Sequence, residues 1–268
     1  MSSPSSYPSS GTWRARTVVP PLLGLAAIIG LWQLLSDYAV VKKYVLPSPA
    51  SIVSAMHAHW HVLVRHAGHT TEEALLGFVL GNAAAVGLAM LFVYSRVARR
   101  SLYPIALASR AVPIIAVVPI LILWLGDTMS PRIFIAAVSV FFPTLINMVR
   151  GLRSVDAEVN ELLHSLSASP WQRLTKIRLP ASLPYLFAAL KIGACSCFIG
   201  AIVAEWIGAN VGLGYLIVVS GYEFRVPTLW AAVMVAALLT LATFALVAIA
   251  ERLAMPWAAR EPHGMTTS

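Results

Sequence analysis

Long apolar runs separated by short polar segments dominate the sequence. Each run is about twenty residues long, which is the length an α-helix needs to cross the hydrocarbon core of a bilayer. The six runs cover residues 18–38, 74–94, 102–125, 132–149, 184–204 and 228–250. This pattern predicts an all-α membrane protein with six transmembrane helices.

A long polar segment, residues 155–180, interrupts the second half of the chain. In its first half, apolar residues recur at helical spacing and predict a short amphipathic helix: Val155, Val159, Leu162, Leu163 and Leu166. After a turn at Ser167, Ser169-Pro170-Trp171-Gln172 supplies an N-cap, a first-turn proline and a capping-box glutamine, which begin a second helix. This second helix is predicted to end before Pro180.

A helix pair this small cannot bury its own apolar stripe. The segment either caps its own bundle or docks on a protein partner in the aqueous phase. The apolar pattern by itself does not decide between these two interpretations.

Composition supports the membrane interpretation. The chain is 59% hydrophobic and 11% charged, with a mean hydropathy of +0.78, which is far more apolar than a soluble domain of this length. The net charge of +8 does not indicate a nucleic-acid partner, because the basic residues lie in short loops between apolar runs. Most of them fall on the side of the termini and of residues 155–180, so the positive-inside rule predicts that these parts are cytoplasmic.

The polar ends and the first connection carry weaker signals. We expect residues 1–16 to form a disordered cytoplasmic tail, 17–257 a transmembrane domain and 258–268 a second cytoplasmic tail. Residues 42–73 are predicted to connect the first two spans outside the membrane, with an amphipathic helix near residues 52–64.

His57 and His61 would share a helical face there, but no third ligand lies close by, so surface histidines are favoured over a metal site. Cys195 and Cys197 are interpreted as packing residues.

The third run contains several prolines and a charge. Because proline removes a backbone hydrogen bond that lipid cannot replace, this helix is expected inside the bundle or beside a wet cavity. Arg110 either faces a solute pathway or extends towards the inner surface. Residues 205–227 hold too many glycines for a regular span, so a short re-entrant or gate-like helix is predicted after Glu205.

Sequence motifs for catalysis are missing. The chain has no G-x-x-x-x-G-K-[ST] loop for ATP and no H-E-x-x-H or G-x-S-x-G motif for hydrolysis. We therefore expect no catalytic residues and no cofactor or metal bound by this chain. A membrane protein with no motor of its own that presents an amphipathic segment fits a transport subunit driven by another protein.

Several motifs resemble those of the permeases of ATP-binding-cassette (ABC) importers. Glu161-Leu162-Leu163, Ser167 and Leu179-Pro180 match the spacing of the EAA loop of these permeases, with leucines in place of both alanines and a serine in place of the glycine. In chain order, further matches are Leu46-Pro47-Ser48-Pro49, Arg110-x-x-Pro113-x-x-Ala116-x-x-Pro119, Trp124-Leu125-Gly126, and Ala204-Glu205 with Gly212-Leu213-Gly214. The third-run pattern looks like the branch that handles sulfonates, taurine, nitrate and some vitamin precursors.

This resemblance implies a set of partners and roles. Two cytoplasmic ATPase subunits would bind ATP and magnesium, a second permease copy or a paralogue would complete the pathway, and an external solute-binding protein would deliver a small, anionic solute. The loop would be the coupling helix, in which Glu161, Leu162, Leu163, Ser167, Leu179 and Pro180 contact the ATPase. Arg110, Pro113, Pro119 and Glu205 would line the solute path or its gate.

Two other classes of protein remain as alternatives. A secondary transporter or channel would show an inverted repeat or a chain of titratable residues within the membrane, and only Arg110 and Lys191 lie inside apolar runs. A membrane enzyme is disfavoured because no catalytic constellation is present.

Overall fold

The chain folds into a bundle of α-helices. The computed structural model describes residues 10–37 and 46–256, and every regular element in these ranges is helical. The α-helices are α1 (Ser10–Asp37), α2 (Pro49–Ala58), α3 (Trp60–Tyr94), α4 (Arg96–Ala108), α5 (Ile114–Leu125), α6 (Met129–Gly151), α7 (Ala157–Ser165), α8 (Pro170–Arg173), α9 (Leu179–Gly208), α10 (Leu213–Tyr222) and α11 (Val226–Ala254). The all-α fold predicted from the apolar runs is confirmed.

Helices α3, α6 and α9 form the centre of the bundle, and small residues let them approach closely. A Cβ atom at Gly77 would lie 2.5 Å from the Cβ of Ala136, and one at Gly81 would overlap the backbone carbonyl of Ala137. On α9, a Cβ atom at Gly200 would lie 2.6 Å from the Ser139 hydroxyl. Glycines therefore set the α3–α6 and α9–α6 distances, as is usual where helices pack inside a bilayer.

The predicted number of six spans is not confirmed. Four helices are long and apolar enough to cross a membrane, namely α3, α6, the continuous helix over 170–208, and α11. The pair α4 and α5 gives a fifth span if the two helices cross together. In α1, the part whose side chains are described includes a shorter apolar stretch, Ala26–Ser36.

The third predicted span is divided by a sharp bend. The axes of α4 and α5 are bent by 99°, with a 3₁₀ turn over Ser109–Ala111 between the helices. Val112 is extended, with φ −72° and ψ 121°, because the proline that follows it disfavours helical backbone. Pro104 and Pro119, in contrast, lie within α4 and α5 without ending them.

Helix α9 corrects the prediction made for Pro180. The second loop helix does not end before this proline, because α8 continues through a π-helical turn, Leu174–Arg178, directly into α9. A π turn bonds five residues back and is wider than an α turn, so it accommodates a residue that has no N–H to donate. The loop and the central helix α9 are therefore one continuous rod.

The ends and the first connection are described only in part. Residues 1–9 and 257–268 of the predicted tails lie outside the described residues, and residues 10–16 belong to α1. The connection predicted over 42–73 is described only from residue 46, where α2 is followed by the start of α3 at Trp60.

Contacts between helices account for two residues of the apolar runs, Lys191 and Cys197. Lys191, a charge within an apolar run, is paired with Glu251 of α11 at 2.6 Å. Cys197 is a free thiol that lies buried beside Ala136 and Phe198, which confirms the interpretation of this cysteine as a packing residue.

Candidate functional site

The segment between α6 and α9 forms the first candidate site. Helix α7 and α8 stand at the end of the bundle where α3 and α6 finish and α9 begins, and we call this end the loop end. Leu174 of the π turn is buried against Phe92, Leu145 and Leu152, which fixes the loop to the core. The predicted amphipathic helix is present as α7, at Ala157–Ser165.

Ser167 ends α7 in a left-handed conformation. Its φ is 54°, and the N–H of Ala168 donates to the carbonyl of Leu163 at 3.0 Å, which closes a Schellman turn. A left-handed serine costs about 1 kcal/mol relative to glycine, because its Cβ crowds the backbone. The serine that replaces the family's glycine therefore keeps the turn geometry at an energetic cost.

The predicted capping box begins α8. The N–H of Gln172 donates to the Ser169 hydroxyl at 3.2 Å, and the N–H of Ser169 donates to Oε1 of Gln172 at 2.9 Å. Pro170 occupies the first turn, where the missing N–H has no cost. Contacts within the loop therefore fix the start of α8.

The loop presents an apolar surface, which we call the α7 face. It consists of Val159, Leu162, Leu166 and Trp171, whose exposed fractions are 36%, 58%, 68% and 68%. Glu161 is also exposed and lies beside Leu162 in sequence. Leu163 is half-buried, so it supports the turn more than it contributes to the surface.

Leu179 and Pro180 take a different position from the rest of the predicted coupling set. Leu179 packs against the buried cluster at the loop end, and Pro180 begins α9. The structure therefore brings 161–167 together on the exposed segment, while these two residues connect that segment to the bundle.

Replacing Ser167 with glycine is expected to stabilise the loop by about 1 kcal/mol, because glycine adopts positive φ without a Cβ clash. The amide hydrogens of α7 should then exchange about five times more slowly, measured by hydrogen exchange and mass spectrometry on the purified chain. Ser165→Gly is the matched control, since Ser165 lies inside α7 and glycine there should speed exchange. Unchanged or faster exchange in Ser167→Gly would contradict the assigned cost.

Arg110 lies at the bend between α4 and α5 and lines a cavity of about 580 Å³. The cavity combines one guanidinium group with the hydroxyls of Ser109, Ser139 and Ser196, and its walls include Phe134 and Phe142. No acidic residue is among its lining residues. Pro113 begins α5 and Pro119 lies within it, so the prolines shape the bend beside the cavity.

Glu205 lies at the opposite end of the bundle in a second polar site. Its carboxylate accepts a hydrogen bond from the Thr70 hydroxyl at 2.6 Å and another from the N–H of Gly214 at 2.5 Å, and the side chain is 1% exposed. A Cβ atom at Gly212 would overlap this carboxylate, and the φ of Gly212 is 123°. Only glycine fits there, which explains the Gly212-Leu213-Gly214 motif.

Arg132 supplies the positive charge of this site. Its guanidinium pairs with Glu73 at 3.4 Å, pairs with Asp127, and donates to the carbonyl of Gly208 at 2.6 Å. We call His66, Thr70, Glu73, Arg132 and Glu205 the Glu205 cluster. This cluster connects α3, α6 and α9 to the turn before α10. Glu205 is not among the described residues that line the Arg110 cavity.

Sequence reasoning missed most of this cluster. His66, Thr70 and Glu73 are spaced i, i+4 and i+7, so they share one helical face with Gly77. That spacing could have placed them in α3, but residues 42–73 had been interpreted as a connection. Arg132 was missed because Glu73 and Gly208 lie 59 and 76 residues away in sequence, although Asp127 is only 5 residues away.

The histidines divide between surface and interior. His57 and His61 are exposed, and no cluster of three metal-ligating side chains exists among the described residues. His66 is half-buried, its Nδ1 accepts the N–H of Gly212 at 3.0 Å, and its ring stacks on Tyr215 at 5.9 Å. Helix α3 continues through His66 and so places this histidine within the Glu205 cluster.

Comparisons with known proteins identify the family of this chain. The family described as "Binding-protein-dependent transport system inner membrane component" matches residues 77–255, which include the bend, the loop and Glu205. The riboflavin transport system permease protein RibX of Chloroflexus aurantiacus is 33% identical over 89% of this chain and 91% of its own. The formylaminopyrimidine transport permease protein ThiX of Halalkalibacterium halodurans is 29% identical over 91% and 98%. The protein of Bacillus subtilis named as an aliphatic sulfonates transport permease, SsuC, is 31% identical over 88% and 86%. This chain belongs to the family of binding-protein-dependent transport system inner membrane components, and it is the multi-pass permease subunit of an ABC importer.

Proposed function

We propose that the α7 face couples this permease to a separate ATPase subunit. The observation that carries the proposal is the exposure of Leu162, Leu166 and Trp171 on a segment that is capped and fixed without a partner. A row of apolar side chains on the surface of a helix in water is typical of a face that another protein covers in the assembly. The acidic Glu158 and Glu161 beside this row would add charge complementarity with a basic groove.

The loop end is proposed to be cytoplasmic, together with both termini. Basic residues concentrate there, among them Arg96, Arg99, Arg100, Arg150, Arg153, Arg173, Lys176 and Arg178, and such residues favour the inner side of a membrane. A transmembrane domain over 17–257, with the coupling loop at 155–180, is proposed to lie between the two cytoplasmic tails.

The proposed assembly has two ATPase subunits, which bind ATP and magnesium, and a second copy of this permease or a paralogue. An external solute-binding protein would meet the end that carries the Glu205 cluster. This chain needs no cofactor in that scheme, because the ATPase supplies the energy.

Continuity of the helices supports a mechanical role for the loop. Helix α8, the π turn and α9 form one rod over 170–208, so a displacement of the loop reaches the Glu205 cluster without crossing a hinge loop. We propose that ATP-driven closure of the ATPase pair moves α7 and opens the pathway outward, and that hydrolysis reverses the movement.

The solute is proposed to be a small organic anion. The Arg110 cavity offers one cation, three hydroxyls and two phenyl rings, a set that suits a negative group attached to an apolar body. Relatives named for aliphatic sulfonates and for riboflavin are consistent with organic solutes of different sizes.

Arg110→Gln is expected to lower uptake of the anionic solute at least tenfold, because the buried anion would lose its charged hydrogen bond, worth about 1.5 to 3 kcal/mol. Uptake by vesicles that contain the whole importer measures this, with ATP hydrolysis recorded in parallel. Arg100→Gln, an exposed arginine on α4 outside the cavity, is the control and should leave uptake unchanged. Equal uptake by Arg110→Gln and by the wild type would exclude Arg110 from the path.

Co-purification tests the central proposal. The tagged permease, extracted from its native membrane in mild detergent, should carry an ATPase subunit, and transport in vesicles should stop when ATP is withheld. Transport that continues without ATP and follows an ion gradient would identify a secondary transporter or channel instead.

A further inference from the structure

A second basic region lies at the loop end, apart from the α7 face. Four arginines, Arg96, Arg99, Arg153 and Arg178, line a cavity of about 240 Å³ between the end of α3, the start of α4 and the chain after α6. The remaining walls include Phe92 and Leu152 of the core. The proposed coupling mechanism does not use this cavity.

An adjoining cavity of about 260 Å³ extends the same region. It shares Val93 and Arg178 with the first cavity and adds Arg173 from α8. No acidic residue is among the lining residues of either cavity. Two neighbouring cavities with five arginines therefore form one strongly positive site, which we call the arginine pocket.

Three arginines of the arginine pocket, Arg96, Arg99 and Arg153, form no ion pair with any of the described residues. Asp156 is the nearest acidic residue in sequence, beside Val155 of the lining. Three guanidinium groups without an ionic partner among the described residues make this site positive, so it would attract an anion from outside the chain.

The pocket opens where α3 and α6, two helices long and apolar enough to cross a membrane, end at Tyr94 and Gly151. The ends of membrane-spanning helices lie near the lipid head groups. Helix α4 beside it buries none of its residues, and Val97 and Ile105 are 76% and 64% exposed. Cationic side chains next to exposed apolar ones suit a ligand with an anionic head and an acyl tail.

We propose that the arginine pocket binds the phosphate group of an anionic phospholipid. Guanidinium groups match phosphate oxygens with paired hydrogen bonds, and arginine is weakly hydrated, so it binds such groups at a membrane surface. The apolar surface of α4 would contact the acyl chains. A lipid held between α3, α4 and the loop would connect the coupling segment to the membrane around it.

Lipid binding by the full-length permease, purified and delipidated in neutral detergent, tests this proposal. Phosphatidylglycerol should raise the midpoint of thermal unfolding, and native mass spectrometry should detect the bound lipid. The double variant Arg99→Gln/Arg153→Gln should bind at least about fivefold more weakly, since each basic residue at a membrane surface contributes about that factor. Arg100→Gln, whose arginine lies outside the pocket, should bind like the wild type.

Three further measurements distinguish a bound lipid from other sources of the anion. Phosphatidylcholine and inorganic phosphate should give no comparable stabilisation, and ATPase co-purification should be the same in wild type and double variant. If inorganic phosphate protects as well as the lipid does, the pocket holds a free anion and the proposal fails. It also fails if the double variant binds lipid normally, or if it loses the ATPase while it retains the lipid. Should the double variant unfold before lipid is added, Arg96→Gln at an exposed position replaces it, and undiminished lipid binding there would overturn the proposal.

Discussion

Replacement of Leu162 by aspartate is expected to abolish ATP-driven uptake while the permease still inserts and folds. Leu162 is 58% exposed on α7, so a charge there costs little in the isolated chain. In a protein interface, the same change places an unpaired carboxylate in a desolvated apolar contact, which costs about 2 kcal/mol or more. Association with the ATPase should therefore weaken about thirtyfold or more.

Uptake in vesicles and ATPase co-purification measure the two parts of this expectation. Leu162→Met keeps an apolar side chain of similar volume and is the matched control, with uptake expected within about twofold of the wild type. Both variants should show wild-type membrane levels and unfolding midpoints. Full uptake by a folded Leu162→Asp permease would remove α7 from the coupling role.

Replacement of Arg132 by methionine is expected to destabilise the folded bundle more than any other change considered. The side chain of Arg132 is 7% exposed and holds Glu73, Asp127 and the carbonyl of Gly208. Its loss leaves carboxylates of the Glu205 cluster buried without a cation, which costs about 3 to 5 kcal/mol. The unfolding midpoint in detergent should fall by about 10 °C.

A second substitution checks the cause of this loss. Glu73→Gln in the Arg132→Met background removes one of the uncompensated carboxylates and should recover part of the midpoint. Arg225→Met at the same end is the control, because the side chain of Arg225 is 53% exposed and its pairing with Glu223 contributes little. If the double variant is no more stable than Arg132→Met alone, the charge explanation is wrong.

Local chemistry made parts of the loop predictable from sequence. Ser169 and Gln172 are three residues apart, so their capping box depends only on neighbours along the chain. Ser167 occupies a place where a glycine is expected, and its positive φ follows from the turn that any residue must make there. The error at Pro180 came from a rule that assumes an α turn, whereas the chain forms a π turn.

Contacts between distant residues account for what the sequence did not reveal. Glu205 and the Gly212-Leu213-Gly214 motif were recognised from the family pattern, but their hydrogen bonds with Thr70 cross more than 130 residues. Two partners of Arg132, Glu73 and Gly208, lie on other helices at distant positions in sequence, and only Asp127 is close to Arg132 along the chain. The count of six spans stays unconfirmed for a related reason, since whether α4 and α5 cross together depends on their surroundings.

Helix α3 is longer than a bilayer is thick. Its 35 residues extend about 52 Å, against about 30 Å for the hydrocarbon core. If the stretch that ends at Tyr94 crosses the lipid, the first third of the helix projects into the aqueous phase as a stalk. Glu73 and its partners then lie near the base of that stalk, where placing a charged side chain costs less free energy than at the middle of the bilayer. An external solute-binding protein that docks at this end would therefore contact a helical segment that projects above the lipid surface.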